Sequence, residues 1–377
     1  MVIDTVGLTF DDVLLKPGYA GFLRSEINLK SRLTKKIELS APLLAAPMDT
    51  VTESKLAIAL AQCGGFGFIH RNLKIEDQAA EVAKVKAAGL PVGAAVGSRP
   101  GYEKRVAALV AAGADVILVD SAHGYSKQVI SAVQEIKKRF VGMEVIGGNV
   151  ATAEGAKALI DAGVDGLRVG MGPGAICSTR IISGMGVPQL TALGETSIIA
   201  AKAGVPIIAD GGIKYSGDIT KALAAGASSV MLGRIFAATL EAPGQKIELK
   251  KDEVPARFQS IFNGADTYTF KSYHGMGSIS AMKKGIEVSS EDEFHGKSYS
   301  GETLIAEGVE GLVPSTGPLK ETVDKLLGGV VSGMYYVGAK TVPELWSKAQ
   351  FMQITQASLT ESHPHNLFIT DTGGNLG

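Results

Sequence analysis

Cysteine is scarce in this sequence: Cys63 and Cys177 are the only two in 377 residues, far apart and in unlike surroundings. That rules out a disulfide scaffold and points to a reducing compartment, the cytoplasm. An excess of charge of one sign is lacking as well. A formal net charge of −1 gives no electrostatic footprint for nucleic acid or for an anionic membrane surface. No apolar run approaches the roughly 20 residues that cross a bilayer. Met1-Val2-Ile3-Asp4-Thr5 has neither the basic nor the apolar region of a signal peptide. No GxGxxG opens a helix after a strand, which speaks against a Rossmann dinucleotide site. The six histidines, His70, His123, His274, His295, His363 and His365, show no metal-ligand spacing. Arginine is absent beyond Arg257.

What the chain does have is apolar residues, 45% of the total, and 47 glycines. After an irregular entry segment over 1–40, a rhythm sets in. Short apolar runs alternate with stretches of helical period, and most junctions carry glycine. The runs fall at 42–47, 65–70, 91–97, 115–120, 144–149, 166–170, 206–212 and 229–234. The helical stretches fall at 53–63, 75–88, 101–112, 125–139, 153–162, 191–203 and 216–225, with a final one at 319–327. Continuous rather than alternating apolar strands suit a parallel sheet covered on both faces. Eight of them separated by helices predict an α/β fold, a closed (β/α)8 TIM barrel, filling 1–377 as one catalytic domain. Residues 235–315 read as a polar, Gly-rich flap inserted after the eighth strand, and 366–377 as a mobile tail.

Within that frame the stretch Gly170-Met171-Gly172-Pro173-Gly174-Ala175-Ile176-Cys177-Ser178-Thr179-Arg180 stands out. Alone, it fits a small buried cysteine in a tight turn as well as a thiol among glycine-exposed backbone donors. The barrel favours the second reading, because loops that follow barrel strands build the active face. The same face collects Asp49, His70, Asp120, Ser121, His123, Asn149, Asp210 and Arg234. Cys63, ending an apolar helical pattern, reads as structural. Asp210-Gly211-Gly212 and Gly233-Arg234 sit where such barrels bind phosphate, although paired glycines also serve plain tight turns. A thiolate beside a nucleoside-phosphate pocket suggests covalent attack on an electrophilic carbon of the base.

Nine phrases carry a resemblance over nearly the whole chain: LTFDDVLLKP (8–17), APMDTVTES (46–54), DSAHG (120–124), GGNVAT (147–152), GPGAICSTR (172–180), ADGGI (209–213), SYHGMGS (272–278), EGVEG (307–311) and ESHPH (361–365). The sequence resembles the family of inosine monophosphate dehydrogenases and guanosine monophosphate reductases. That resemblance implies a (β/α)8 barrel, usually tetrameric. It implies attack of the cysteine on C2 of inosine monophosphate, hydride transfer to NAD, and hydrolysis of the thioimidate to xanthosine monophosphate. Carried over by motif, it implies Cys177 as nucleophile, with Thr179 and Glu307 as catalytic partners. It implies substrate contacts from Ala46, Met48, Asp210, Gly211, Gly212, Gly233, Arg234, Tyr273, Gly275, Met276 and Glu307. Asp120, Ser121, Asn149 and Gly170 fall on the dinucleotide side. A potassium site is implied from the carbonyls of Gly172, Gly174 and Cys177, with Glu361, Ser362 and His363 of a neighbouring subunit.

Four departures qualify this expectation. The segment Glu81-Val82-Ala83-Lys84-Val85-Lys86 runs almost directly into Leu90-Pro91-Val92-Gly93, leaving no room for the paired CBS modules of most such dehydrogenases. Ala175 replaces the loop's phosphate-binding serine, and Arg234 replaces a small residue. The flap, Glu291-Asp292-Glu293-Phe294-His295-Gly296-Lys297-Ser298-Tyr299, lacks the water-activating arginine and offers Lys297 or His295 instead. A relay through Thr179 and Glu307 is the other route. Ile279 stands where a reductase carries glutamate. The expectation is a dehydrogenase without CBS modules. The alternatives are a reductase using NADPH, or a nucleotide-binding protein that hydrolyses its adduct poorly.

Overall fold

The computed structural model describes residues 6–262, 264–288, 293–294, 297–298 and 304–366. The eight apolar runs form β1 (Leu43–Ala45), β2 (Phe66–Ile69), β3 (Gly93–Val96), β4 (Val116–Asp120), β5 (Glu144–Val150), β6 (Gly166–Val169), β7 (Ile207–Asp210) and β8 (Ser229–Leu232). They pair parallel in chain order, and β8 closes onto β1 with Val230 opposite Leu43 and Leu232 opposite Ala45. Between them lie α1 (Ser54–Gln62), α2 (Ile75–Ala87), α3 (Tyr102–Ala111), α4 (Lys127–Arg139), α5 (Ala153–Asp161), α6 (Gln189–Ala203) and α7 (Ser216–Ala224); α8 (Leu319–Val337) completes the ring. The result is the (β/α)8 barrel that the strand count predicts.

Strand burial explains why the runs are apolar throughout. Every residue of β2, β3, β6 and β8 is buried, one set of side chains facing the barrel interior and the other the helices. Leu44, Phe66, Phe68, Val116, Leu118, Ile146, Ile208 and Met231 pack the interior, and Leu33 and Leu39 join them from a hairpin pairing Ser31–Arg32 with Glu38–Leu39. A side chain at Gly93 would begin 2.4 Å from the Phe68 ring, so this glycine makes room for the aromatic.

Two expectations are corrected. The final helix does not stop before Gly328 but runs ten residues further, to Val337. Its glycines are packing devices: a Cβ at Gly329 would lie 2.1 Å from Ser216 Oγ, and one at Gly333 2.7 Å from Thr220 Cγ2. They let α8 approach α7 closely. The insertion, in turn, is not without regular structure. Strands β9 (Lys246–Lys250), β10 (Thr267–His274) and β11 (Glu310–Pro314) form an antiparallel sheet, and a helix, Ile279–Val288, precedes β11. Buried Lys271 ties this sheet to the segment that leaves β8 by donating to the carbonyls of Thr239 and Ala242, at 2.6 and 2.5 Å. Burial, then the nearby Lys246, pulls its pKa down to about 8.

Helix α2 ends at Ala87 and β3 begins at Gly93, so no module is inserted there. Near the N-terminus, Val13–Leu15 pairs antiparallel with Phe351–Gln353. Among the described residues no helix is long and apolar enough to cross a membrane. The proposed tail beyond Asn366 lies outside the described residues.

Phe68→Ala is expected to cost about 3–5 kcal/mol, as for a fully buried aromatic with no route to collapse. Urea unfolding monitored by circular dichroism measures this, and a loss below about 1 kcal/mol would contradict the packing described.

Candidate active site

A cavity of about 440 Å³ opens at the carboxyl ends of the barrel strands. That volume is in the range of small-molecule sites. Its lining includes every residue that the sequence placed on the substrate and dinucleotide sides: Ala46 and Met48 after β1, Asp120 and Ser121 at the end of β4, Asn149 on β5, Gly170 after β6, Asp210, Gly211 and Gly212 at the end of β7, Gly233 and Arg234 after β8, and Tyr273, Gly275, Met276 and Glu307 from the insertion. Glu361, Ser362 and His363 are not among them. They close a short exposed helix, Gln356–Glu361, and the His363 ring sits 6.4 Å from that of Tyr215.

The cysteine loop is shaped by its first residue. Gly170 has φ +148°, and a Cβ there would fall 2.1 Å from the Asp210 carbonyl. Only glycine lets the chain leave β6 so close to β7. The loop's far end is held by the insertion: Ser178 N donates to Glu307 O at 3.0 Å, and Val309 N donates to Ile176 O at 2.9 Å, making an antiparallel bridge between Cys177 and Gly308. This places three side chains in line. The Cys177 thiol donates to Thr179 Oγ1 at 3.2 Å, and that hydroxyl donates to Glu307 Oε2, also at 3.2 Å.

One residue that sequence reasoning passed over organises the opposite wall. Buried Arg168, on β6, donates through Nη1 to Asp120 Oδ1 at 2.5 Å and through Nε to Asp210 Oδ2 at 3.0 Å. Asn149 Nδ2 donates to the same Asp210 oxygen and to Gly170 O, both at 2.8 Å. Gln189 Nε2 adds bonds to the carbonyls of Val169 and Asp210. Burial alone would lower the Arg168 pKa, but the Asp210 and Asp120 carboxylates more than offset it, so the guanidinium stays charged. A lone arginine within an apolar strand was the available signal.

On the wall formed by β8, Tyr273 is buried with its hydroxyl 2.7 Å from where a Gly233 side chain would begin. Burial pushes its pKa upward, keeping the phenol neutral and able to donate. Arg234 lines the same end of the cavity and has no ion pair among the described residues.

Asp49 and His70 correct the expectation that they face the cavity. They lie outside its lining. Asp49 pairs with His274 and Asn72, and buried His70 contacts Glu53 at 3.4 Å. His123 is exposed and also absent from the lining. Cys63, half-buried against the core, is the structural thiol expected; burial pushes its pKa up. Of the flap candidates, His295, Tyr299 and the side chain of Lys297 lie outside the described residues.

Fold and cavity define a (β/α)8 barrel that carries a cysteine, a threonine and a glutamate in line at its mouth, opposite an arginine-bridged pair of aspartates. Residues 7–365 match the family described as IMP dehydrogenase / GMP reductase domain. The chain is 42% identical to the inosine-5'-monophosphate dehydrogenase of Cryptosporidium parvum, with 96% of each covered. It is 41% identical to that of Borreliella burgdorferi over 96% of this chain and 97% of the relative. For the Aquifex aeolicus enzyme, identity is 39% over 97% of this chain and 96% of the relative. The chain belongs to the IMP dehydrogenase / GMP reductase family. The Aquifex alignment runs over 492 positions against 377 residues here, so that relative carries sequence which this chain lacks.

Arg168→Met would leave two half-buried carboxylates without their shared cation, at an expected cost of about 1–3 kcal/mol at pH 7. Urea unfolding of the variant beside the wild type at pH 7 tests this; a loss below about 0.5 kcal/mol would contradict it.

Proposed function

We propose that this protein is an inosine monophosphate dehydrogenase without CBS modules, acting in guanine nucleotide biosynthesis. It oxidises inosine monophosphate to xanthosine monophosphate through a covalent thioimidate on Cys177. The observation that carries this reading is the line Cys177–Thr179–Glu307 at the mouth of a nucleotide-sized cavity. The family match and dehydrogenase relatives about 40% identical over nearly the whole chain support it.

The roles follow from chemistry and placement. Deprotonated Cys177 adds to C2 of the purine, forming the S–C2 bond as the C2 hydrogen departs with its electron pair. NAD, when bound, accepts that hydride. Water then adds to C2 of the thioimidate, the C2–S bond breaks, and the thiolate is regenerated. The sum is inosine monophosphate, NAD and water giving xanthosine monophosphate, NADH and a proton. The water's proton leaves through Thr179 to Glu307, whose carboxylate lies within hydrogen-bond reach of that hydroxyl. With the flap arginine missing, this relay carries the hydrolytic step.

Asp210 accepts from ribose hydroxyls, and the Gly211, Gly212 and Gly233 backbones approach the phosphate with Tyr273. Arg234 supplies the donors that Ala175 lacks. Ala46, Met48, Gly275 and Met276 wall in the base. Asp120, Ser121, Asn149 and Gly170 face the dinucleotide. The insertion over 235–315 serves as the flap.

A potassium ion fits the loop's donor set. The carbonyls of Gly172 and Cys177 accept no hydrogen bond among the described residues, and that of Gly174 accepts only from Cys177 N, at 3.1 Å. Neutral oxygens of this kind suit a hard monovalent cation better than a transition metal. Glu361, Ser362 and His363, exposed in the single chain, complete the set from a neighbour in a homotetramer. Potassium bound there would hold the cysteine loop in place. The balanced charge and paucity of cysteine fit a cytoplasmic enzyme without nucleic-acid or membrane partners.

Steady NADH formation from inosine monophosphate and NAD is expected, faster in potassium than in sodium, and reduced at least about a thousandfold in Cys177→Ala. Ammonia release from guanosine monophosphate with NADPH, and no NADH formation, would give the protein to the reductase, the reading that the missing flap arginine favours. A single burst of NADH without further turnover would mark a nucleotide-binding protein stalled at the adduct.

A further inference from the structure

The cluster around Asp49 lies behind the cavity wall, and the mechanism above does not use it. Asp49 follows Met48, which lines the cavity; its side chain is only 2% exposed. His274 ends β10 immediately before Gly275 and Met276, which line the cavity from the insertion. His274 Nε2 donates to Asp49 Oδ1 at 2.7 Å. The other oxygen, Oδ2, accepts from Asn72 Nδ2 at 2.8 Å and lies 3.8 Å from Lys284 Nζ. Asn72 also donates to Ala281 O, at 3.3 Å. Thus the segments after β1 and β2 grip the insertion at two points, and the shorter contact adjoins the base-binding loop.

That loop is wired to the catalytic line. Gly275 N donates to Val309 O at 3.1 Å, and Glu307 N donates to Gly277 O at 3.0 Å. A shift of 275–277 therefore moves both the wall against the base and the carboxylate beside Thr179.

We propose that His274 is a positioning residue: paired with Asp49, it sets the Gly275–Met276 loop and thereby the affinity for the purine nucleotide, and loss of its proton loosens the site. The inference rests on the functional reading given above. Besides Asp49, the charged groups around His274 are its cross-strand partner Glu310 and Lys284 on the following helix; His70, with Glu53 against it, lies behind Asp49. The hydrogen bond to Asp49 raises the His274 pKa. Burial alone would raise that of Asp49, but His274, then His70 and Asn72, hold it at about 2. The carboxylate is therefore charged throughout the working range, and His274 is the group that titrates. Its folded pKa being raised, the charged pair is complete below the ordinary histidine value and is lost as pH rises through the folded one.

The experiment measures KM and kcat for inosine monophosphate, and its Kd by calorimetry without NAD, from pH 6 to 9. The wild type, His274→Gln and His274→Arg are compared, with thermal unfolding as a control. For the wild type, KM and Kd should rise about tenfold on the alkaline side, the worth of a charge-assisted hydrogen bond, with kcat changed about twofold or less. His274→Gln should show the raised value at every pH. His274→Arg, which keeps its charge, should fold, bind like the wild type at pH 6 and lose the alkaline rise. Should His274→Gln fail to fold, the His274→Arg profile decides alone. A wild-type alkaline rise retained in His274→Arg, or a folded His274→Gln with wild-type affinity at pH 6, overturns the assignment. A wild type that neither binds nor oxidises inosine monophosphate overturns the functional reading itself, and this inference with it.

Discussion

The bridge between Cys177 and Gly308 is the contact on which the site depends. Two backbone hydrogen bonds, Ser178 N to Glu307 O and Val309 N to Ile176 O, join the loop after β6 to a segment on the far side of the insertion. Each is of ordinary length, 3.0 and 2.9 Å. Their effect is to bring Glu307 within reach of Thr179, and Thr179 within reach of the thiol. The barrel supplies the thiol and the insertion supplies the carboxylate, and neither alone contains the line of three groups. The cost of closing so long a loop is met elsewhere, by the β9–β10–β11 sheet and the buried Lys271 that pins it to the segment leaving β8.

The opposite wall is organised by charge. Arg168 in β6 links the carboxylate that ends β4 to the one that ends β7; Asn149 donates to the latter, and Gln189 donates to the backbone carbonyl of Asp210. A buried guanidinium held between two carboxylates gives a rigid surface, at a desolvation cost that a binding site tolerates and a core does not. Across the cavity, neutral Tyr273 and Arg234 offer donors to an anion. The cavity is thus acidic on one side and donor-rich on the other, a polarity that matches a nucleotide's hydroxyls and phosphate.

Much of this is legible in the sequence because a parallel barrel writes itself as unbroken apolar runs. Phe66-Gly67-Phe68-Ile69 and Ser229-Val230-Met231-Leu232 need no tertiary knowledge to be read as strands. Residues at the strand ends were legible for the same reason, since chain order alone puts Asp120, Asn149 and Asp210 on one face. What was hidden depended on partners distant in sequence. Gly329 looks like a helix stop until Ser216 is seen against it. Lys246–Lys250 alternates exposed and half-buried positions as an antiparallel strand does, but its charges read as loop. Arg168 gave a signal, a lone cation in a strand, whose meaning needed both aspartates. Asp49 and His70 sit at strand ends like true site residues, and only three-dimensional placement turns them away from the cavity, toward His274 and Glu53.

Where related enzymes are expected to activate water with a flap arginine, this chain has none beyond Arg257, and the mechanism proposed above assigns the hydrolytic step to Thr179 and Glu307. The most direct test is rapid-quench kinetics of Glu307→Gln with inosine monophosphate and NAD, with intact-mass analysis of the quenched protein. The expected result is a full burst of NADH, one per subunit, followed by a steady rate at least about a hundredfold below wild type, with the purine nucleotide attached at Cys177. Wild-type steady turnover in Glu307→Gln, or a quenched protein without an adduct, would contradict it.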